Sequence, residues 1–481
     1  MPPEVSSNPL LEDIFSKIGF GRFHVMVILI FGFIQFFYAV ETVLLSFLGP
    51  ILICTWKISL LESSVITMAV FVGMSIGSLI FGKLSDIYGR KIIVLTSSCG
   101  IFYFSVLCAG SPNVIWVVII RGIIGLFIGG FSTMFYTYMT EVMTTKQRGT
   151  SVICVQIFWS MGSYYISILT LAIVPEYGWR LWLVLTIAPM SVIVMLSLWL
   201  PESPRYLLLR NETREALKII NKIAKMNKAE YVPSVKNPVN KTSSWKDIFH
   251  RNYFLSTIIC MYICFVSGIS FYGIVFSSSV VNHIPHKCLQ DMDQTLNPLL
   301  YQNSSADHSC CFTQTWHTMK TVIISITGEL SSYVIGIFVI KYIKRKLYLQ
   351  ILLLINASVF FLMNLCLSPT ENGILMMFGR GSGGTILRVN LLYISEVFPT
   401  NIRSFTIGLG NCFVRLGAMF STFVVNLLMI QYSFLTGTLF YCAINLVGVI
   451  LVFILPYETK DRALPQNVDD DINKFDQPMK Q

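Results

Sequence analysis

The chain has 481 residues, of which 54% belong to the hydrophobic set AVILMFWYC and 12% are charged, and its mean hydropathy is +0.67. A soluble protein is about 25% charged, so this chain cannot cover its surface with charge and most of that surface must contact lipid. The composition therefore excludes a soluble enzyme, a nucleic-acid-binding domain and a disordered protein as descriptions of most of the chain.

Twelve segments are long and apolar enough to cross a membrane. A span needs about 20 apolar residues, and a backbone in lipid must satisfy its own hydrogen bonds, which favours helices. The predicted spans are 24–51, 63–82, 92–110, 114–138, 150–173, 181–200, 254–281, 320–340, 347–367, 371–395, 405–429 and 434–456. They predict an all-α membrane protein with six-helix bundles at 24–200 and 254–456.

Lys and Arg concentrate in the loops that follow the even-numbered spans, whereas the opposite loops hold little beyond Lys57, Arg180 and Lys287. Basic residues favour the cytosolic side of a membrane. Both termini, 1–23 and 457–481, are therefore predicted to be cytosolic. The net charge of +10 is then an excess on the cytosolic face, and no nucleic-acid partner is expected.

Two longer polar segments interrupt the spans. The cytosolic linker 201–253 contains Thr213 to Asn227 (TREALKIINKIAKMN), whose apolar residues have helical spacing. This segment predicts an amphipathic helix that lies on the inner leaflet or against the bundle, and a mere covering linker is an equal alternative.

The outer loop 282–319 carries a sequon at Asn303 and three cysteines. An oxidising lumen permits a disulfide there, and we expect Cys288 to pair with Cys310 or Cys311. Asn303 is the sequon that we expect to be glycosylated.

The two halves share a repeat at an offset of 255 residues. Glu141 and Arg148, at the end of span four, correspond to Glu396 and Arg403 at the end of span ten. The same offset places the loop 82–91 (GKLSDIYGRK) on the loop 337–346 (IFVIKYIKRK). Two bundles of common descent are indicated, an arrangement in which substrate sites form between the halves.

Three motifs carry a resemblance to a known family. The segment 82–91 resembles the G-x-L-x-D-x-x-G-R-K loop of the major facilitator superfamily, 201–207 (PESPRYL) resembles its P-E-S-P-R motif, and 457–460 (YETK) resembles its P-E-T-K motif. Segments such as 18–24 (IGFGRFH) are most similar to the synaptic-vesicle-two-related group, relatives of organic cation and anion transporters. The resemblance covers essentially the whole chain and implies a monomeric transporter that works by alternating access.

The resemblance also implies a set of gating residues at the cytosolic face, whose ion pairs would break as the halves rock open. They are Gly82, Asp86, Gly89, Arg90, Glu141, Arg148, Glu202, Arg205, Glu396, Arg403 and Glu458. Of these, Gly82 and Gly89 are expected to allow a tight turn and a close approach of helices. Static ion pairs in a wet loop, which contribute little, are the alternative. Lys341 and Lys344 depart from the family's acid and glycine, so the second gate is expected to lack its acidic partner.

Charges inside the spans are the candidates for substrate binding, because a charge at mid-bilayer is expensive. Arg415 and Arg388 would form a cradle for an anionic group, and we expect the only deep acids, Glu41 and Glu329, to pair partly with them. Arg121 and Arg380 are weaker candidates. Two Arg–Glu pairs that only fix helix packing remain the alternative. The aromatic candidates for the cavity are Tyr38, Trp159, Tyr272 and Tyr393, with Tyr164 and Phe271 beside them.

These features favour a secondary transporter of small organic anions in a plasma or vesicle membrane. A proton-coupled organic cation transporter that uses Glu41 and Glu329 is an alternative, as is a non-transporting, receptor-like membrane protein. The partners would be the substrate ion, the bilayer and a proton or another coupling ion. The sequence shows no nucleotide loop, no metal cluster and no arrangement of a nucleophile, so no enzymatic activity, cofactor or metal is expected.

Overall fold

A computed structural model describes residues 11–143, 147–210, 212–229, 251–280, 316–365, 367–398, 400–456 and 458–459. These residues form fourteen α-helices. They are α1 (Leu11–Ile18), α2 (Arg22–Trp56), α3 (Leu60–Tyr88), α4 (Arg90–Ala109), α5 (Val114–Val142), α6 (Arg148–Trp199), α7 (Pro204–Leu209), α8 (Thr213–Asn227), α9 (Arg251–Val280), α10 (Trp316–Tyr342), α11 (Arg345–Leu362), α12 (Pro369–Val397), α13 (Thr400–Phe423), which continues as a π-helix at Val424–Tyr432, and α14 (Phe434–Ile454).

The long helices accommodate the twelve predicted spans. Ten helices of the described residues are long and apolar enough to cross a membrane. Helix α6 has 52 residues, about twice the length of one span, and turns at Gly178 (φ +77°), so it holds spans five and six. Helix α12 is more polar but has 29 residues and occupies span ten. The N-terminal half is therefore α2–α6 and the C-terminal half is α9–α14.

Large apolar side chains face outward around this bundle. Trp199 is 74% exposed and Phe453 is 78% exposed. Many other large apolar side chains of the spans are also exposed, to a lesser degree. Such a surface is far more apolar than a soluble protein tolerates, and lipid is the medium that covers it.

The first cytosolic loop differs from its prediction. Helix α3 continues to Tyr88 and α4 begins at Arg90, so Gly89 alone joins them. Gly89 has φ +99°, which favours glycine, and a Cβ there would lie 2.4 Å from a carboxylate oxygen of Glu202. Gly82 was expected to permit a tight turn, but it lies inside α3, where the nearest atom to an added Cβ is a Thr133 methyl carbon at 3.9 Å.

Within each half, two helix pairs pack closely and correspond between the halves. Helices α2 and α6 correspond to α9 and α13, and α3 and α5 correspond to α10 and α12. A Cβ on Gly73 would lie 2.1 Å from the carbonyl oxygen of Gly122, and a Cβ on Gly268 would lie 2.2 Å from that of Val414. Small residues allow helices in lipid to approach closely, so glycine is required at these contacts.

The halves meet through two other helix pairs, α3 with α13 and α6 with α10. Near the start of α3, on the face away from the basic loops, Asn426 donates a hydrogen bond from Nδ2 to Ser64 Oγ at 2.6 Å. Deeper in the bundle, Phe71 of α3 packs against Tyr272 of α9 with ring centroids 5.0 Å apart. The two halves are therefore in contact on the non-basic face.

The amphipathic helix predicted from Thr213 to Asn227 is present as α8 and packs against α1 and the start of α2. Its buried face consists of Ala216, Ile220, Ile223 and Ala224. Asn227 at its end donates to the Gly19 carbonyl and accepts from the Phe23 amide, both at 3.0 Å. The chain itself covers this buried face.

We expect Gly268→Ala to destabilise the C-terminal half. The added Cβ would overlap the Val414 carbonyl, and overpacking of this kind costs about 1–3 kcal/mol. Gly408→Ala is the matched control on α13, because a Cβ there has nothing within 4 Å. Thermal unfolding in detergent should show a lower melting temperature for Gly268→Ala alone. Equal melting temperatures would contradict the proposed role of close packing.

Candidate functional site

A cavity lies between the two halves at the centre of the bundle. From the N-terminal half it is lined by Tyr38, Ser132 and Trp159. From the C-terminal half it is lined by Ser267, Gly268, Phe271, Tyr272, Tyr333, Gly384, Leu387, Arg388, Asn411, Val414 and Arg415. Its volume of about 30 Å³ accommodates one or two water molecules. An organic ion therefore requires the halves to move apart.

Arg415 bridges the halves inside this cavity. Its guanidinium carbon lies 5.1 Å from the ring centroid of Tyr38 on α2, and its Nη1 donates to the Tyr272 hydroxyl at 3.3 Å on α9. The side chain is 7% exposed, and no carboxylate among the described residues forms an ion pair with it. A buried cation held by a ring face and a hydroxyl retains donors for an anionic ligand.

The sequence anticipated some of the lining and missed the rest. Tyr38, Trp159, Tyr272, Arg388 and Arg415 all line the cavity. Other polar lining residues were not singled out, namely Ser132, Ser267, Tyr333 and Asn411. The one sequence signal for Asn411 is its position four residues before Arg415, one turn away on the same helix face. An isolated serine in a span gives no comparable signal.

Tyr393 does not line the cavity. It is fully buried in the apolar core of the C-terminal half, together with Ile259, Leu349 and Val389. It lies five residues, or 140° around the helix, from Arg388 on α12, so the two side chains point in different directions. Tyr393 therefore belongs to the packed core of the C-terminal half and not to the lining of the cavity.

Glu41 forms an ion pair with Arg121 and not with Arg388 or Arg415. Arg121 Nη1 donates to Glu41 Oε2 at 2.7 Å, and Ser105 Oγ donates to Oε1 at 3.3 Å. Both charged side chains are 2% exposed. The expectation that Glu41 pairs partly with Arg388 and Arg415 is therefore wrong, because α2 presents Glu41 to α4 and α5 of its own half.

Glu329 is also paired elsewhere. Its Oε1 accepts from Arg380 Nε at 2.5 Å, and both side chains are fully buried between α10 and α12. The Arg388 charge acts on the same carboxylate, and the indole of Trp159 approaches it from the other half. Glu329 thus adjoins the cavity without lining it, and Arg380 is its direct partner.

On the basic face, which carries the predicted cytosolic loops, an ion-pair cluster ties the N-terminal half together. Arg90 donates from Nη2 to Glu141 at 3.0 Å and from Nη1 to the Ser85 carbonyl at 3.0 Å. Asp86 lies 3.1 Å from the same Nη2. Glu202 accepts from the Arg90 amide at 2.8 Å and so caps the first turn of α4.

The C-terminal half repeats this cluster, at an offset of 255 residues for Arg345 and Glu396 and of 256 for Glu458. Arg345 donates from Nη2 to Glu396 at 3.3 Å and from Nη1 to the Ile340 carbonyl at 2.7 Å. Glu458 accepts from the Arg345 amide at 2.8 Å and caps α11. The substitution at Lys341 removes the counterpart of Asp86. It leaves the other contacts of the cluster in place.

Each of these clusters lies within one half, so their position does not support the expectation that the pairs break as the halves separate. They hold the basic ends of three segments of each half together. The side chains of Arg148 and Arg403 lie outside the described residues, as do Asn303, Cys288, Cys310 and Cys311. Arg205 belongs to α7, beside the Glu202 cap.

Loss of either cap should destabilise the protein independently of the other. We expect Glu202→Gln and Glu458→Gln each to cost about 1.5 kcal/mol, the lower end of the range for hydrogen bonds to a charged group, because both are half-buried. The effects should add in the double variant, since the caps are in different halves. Thermal unfolding in detergent measures this, with the exposed Glu215→Gln on α8 as the matched control. Non-additive shifts would contradict separate clusters.

Comparison with known proteins agrees with this architecture. Residues 55–284 match the family model described as "Sugar (and other) transporter". The human protein described as "Putative transporter SVOPL" is 31% identical over 463 residues, which cover 95% of this chain and 93% of that protein. The "Organic cation/carnitine transporter 7" of Arabidopsis thaliana is 26% identical and covers 95% of this chain and 96% of its own length.

Among solved structures, the partially occluded, inward-open xylose transporter XylE from E. coli superposes with a TM-score of 0.64. The two chains are 16% identical, and the match covers 92% of this chain and 99% of that one. This likeness confirms the predicted fold of two six-helix halves. The chain belongs to the major facilitator superfamily of membrane transporters, in the group of the SVOPL and synaptic vesicle 2-related proteins.

Proposed function

We propose that the protein is a secondary transporter of small organic anions that works by alternating access. The observation that carries this proposal is that Arg388 and Arg415 line one cavity between the halves. Two guanidinium groups in a low-dielectric site favour a carboxylate, sulfate or sulfonate. The surrounding rings of Tyr38, Trp159 and Tyr272 suit the apolar part of an amphipathic anion.

The packing supports a rocking motion of the two halves. Each half has its own ion-pair cluster on the basic face and its own close helix pairs, so each can move as a unit. The contacts between halves are fewer and smaller, such as the Asn426–Ser64 hydrogen bond. In this proposal the clusters around Arg90 and Arg345 gate the cavity indirectly, by keeping the basic end of each half rigid.

Removal of Arg415 should abolish most anion transport. A hydrogen bond to a charged group contributes about 1.5–3 kcal/mol, so Arg415→Ala should weaken anion affinity roughly 10- to 100-fold. Arg415→Lys should retain part of the activity because it keeps the charge. Uptake of labelled aromatic carboxylates and sulfonates into proteoliposomes measures this, with the exposed Arg180→Ala as the matched control for net charge.

Two outcomes would favour the other hypotheses. Uptake of organic cations with no uptake of anions would show that the proposed negative charge of the substrate is wrong. Stabilisation of the protein by an anion without any flux would favour a receptor-like, non-transporting protein. Both outcomes are distinguishable from simple inactivity by measuring melting temperature and uptake on the same preparation.

The proton-coupled cation transporter makes a separate prediction about Glu41. In that mechanism Glu41 would release Arg121 on protonation, so Glu41→Gln should abolish cation uptake driven by a pH gradient. The bonding of Glu41 to both Arg121 and Ser105 argues instead for a packing role. We therefore expect Glu41→Gln to leave the pH dependence of transport intact, as measured by uptake with and without an imposed gradient.

A further inference from the structure

The ion pair Glu329–Arg380 is incompletely bonded. One hydrogen bond joins the two side chains. Glu329 Oε2 and both Nη atoms of Arg380 are buried without a hydrogen-bond partner among the described residues. Both oxygens of Glu41, by contrast, are bonded. A buried ion pair with free donors and acceptors is costly unless something else completes it.

This pair lies at the boundary between the halves. Glu329 and Arg380 belong to α10 and α12 of the C-terminal half. Trp159 and Tyr164 of α6, from the N-terminal half, are near enough to interact electrostatically with Glu329. The indole of Trp159 interacts with the Glu329 carboxylate electrostatically, although its Nε1 does not reach hydrogen-bond geometry. Separation of α6 from α10 would therefore change the surroundings of Glu329.

Few other ionisable groups face Glu329. Helix α12 contributes the positive charges of Arg380 and Arg388, and α6 contributes the Tyr164 phenol. Helix α9, the third helix packed against α10, contains no carboxylate, and its one charged residue is Arg251 at its first position. Tyr333 follows Glu329 by four residues on α10 and lines the cavity. The other carboxylates of these helices are Glu176 on α6 and Glu371 and Glu396 on α12, and each lies nine or more residues along its helix from Tyr164 or Arg380.

A polar stripe on α6 leads to the pair. It consists of fully buried residues spaced four and three apart, namely Gln156, Ser160, Ser163, Ser167 and Thr170. Trp159 and Tyr164 flank the stripe on the helix surface, so the stripe is on the side of α6 that carries the two residues that interact with Glu329. Both amide atoms of Gln156 and the hydroxyl of Ser160 have no partner among the described residues. Buried groups of this kind are normally satisfied by ordered water.

The charges of the cavity give Glu329 a specific role. Arg388 and Arg415 bring two guanidinium groups to the cavity beside the Glu329–Arg380 pair. An organic anion bound at Arg388 brings a negative charge near the Glu329 carboxylate, and like charges repel strongly where the dielectric constant is low. A proton on Glu329 removes that repulsion and releases Arg380 towards the anion. Anion binding and protonation should therefore favour each other.

We propose that Glu329 is a proton-binding carboxylate whose protonation is coupled to anion binding at Arg388 and Arg415, so that the protein carries a proton together with its anion. The proton enters through water along the α6 stripe, binds Oε2 of Glu329, and leaves by the same atom after the halves have moved. This inference rests on the proposed function, because it requires an anion in the cavity.

The coupling has a defined sign. Because a bound anion favours the protonated carboxyl, anion affinity rises as pH falls, and the reciprocal effect on proton affinity is of equal size. One linked proton limits the change to about tenfold in dissociation constant per pH unit. Outside the pH window set by Glu329 in the empty and occupied states, the affinity no longer depends on pH.

Benzenesulfonate is the probe for this coupling, because it stays ionised between about pH 5.5 and pH 8 and does not itself titrate. In purified wild-type protein we expect its affinity to increase as pH is lowered through this range. Glu329→Gln, which imitates the protonated carboxyl, should bind with the affinity of the wild type at low pH, and without pH dependence. The matched control Glu41→Gln should keep the wild-type slope.

A second variant separates the loss of coupling from misfolding caused by an unpaired buried charge. Glu329→Gln leaves Arg380 as a buried charge, so the double variant Glu329→Gln with Arg380→Gln removes both charges. The affinity of this double variant for benzenesulfonate should also be independent of pH. A melting temperature close to that of the wild type would show that the double variant is folded.

Three results would overturn the inference. Wild-type binding of benzenesulfonate that does not depend on pH would refute the coupling and leave the proposed function standing. A slope that survives in both Glu329 variants but disappears in Glu41→Gln would move the proton to Glu41. Absence of any anion binding, at every pH tested, would refute the proposed function and the inference together.

Discussion

The whole structure depends on the cost of placing charge inside a lipid-facing helix bundle. A charge in this environment must find a partner, a polar cavity or the interface. Glu41 and Arg121 satisfy each other within one half, and Glu329 and Arg380 pair within the other. Arg388 and Arg415 occupy the cavity between the halves. The deep charges thus separate into those that pair helices within one half and those that line the cavity between the halves.

The pairing of helices makes each half a separately packed unit. Close contacts at glycines such as Gly73 and Gly268 lock helices within a half, where a side chain would not fit. The clusters around Arg90 and Arg345 lock the basic ends in the same way. Between halves the contacts are single hydrogen bonds, rings and small polar side chains. The proposed rocking motion therefore acts at the helix pairs α3–α13 and α6–α10.

Sequence reasoning reached the fold because hydropathy, loop charge and the repeat are local signals. It also placed Arg415 in the interior, since its depth in a span follows from residue counting. It could not assign partners to Glu41 or Glu329, because a partner depends on which helices are neighbours. The prediction that Tyr393 lines the cavity was wrong for a related reason, since packing sets the direction in which an aromatic side chain points. The role expected for Gly82 failed because α3 continues past it.

The repeat itself shows where the two halves have diverged. The offset of 255 residues relates Arg90 to Arg345 and Glu141 to Glu396, with matching hydrogen bonds. The same offset places Ser160 against Arg415 and Met74 against Glu329, so the interior charges have no counterparts. Symmetry is kept where both halves need the same rigid basic end. It is lost in the interior, where the C-terminal half contributes Arg388 and Arg415 to the cavity and the N-terminal half contributes Tyr38, Ser132 and Trp159.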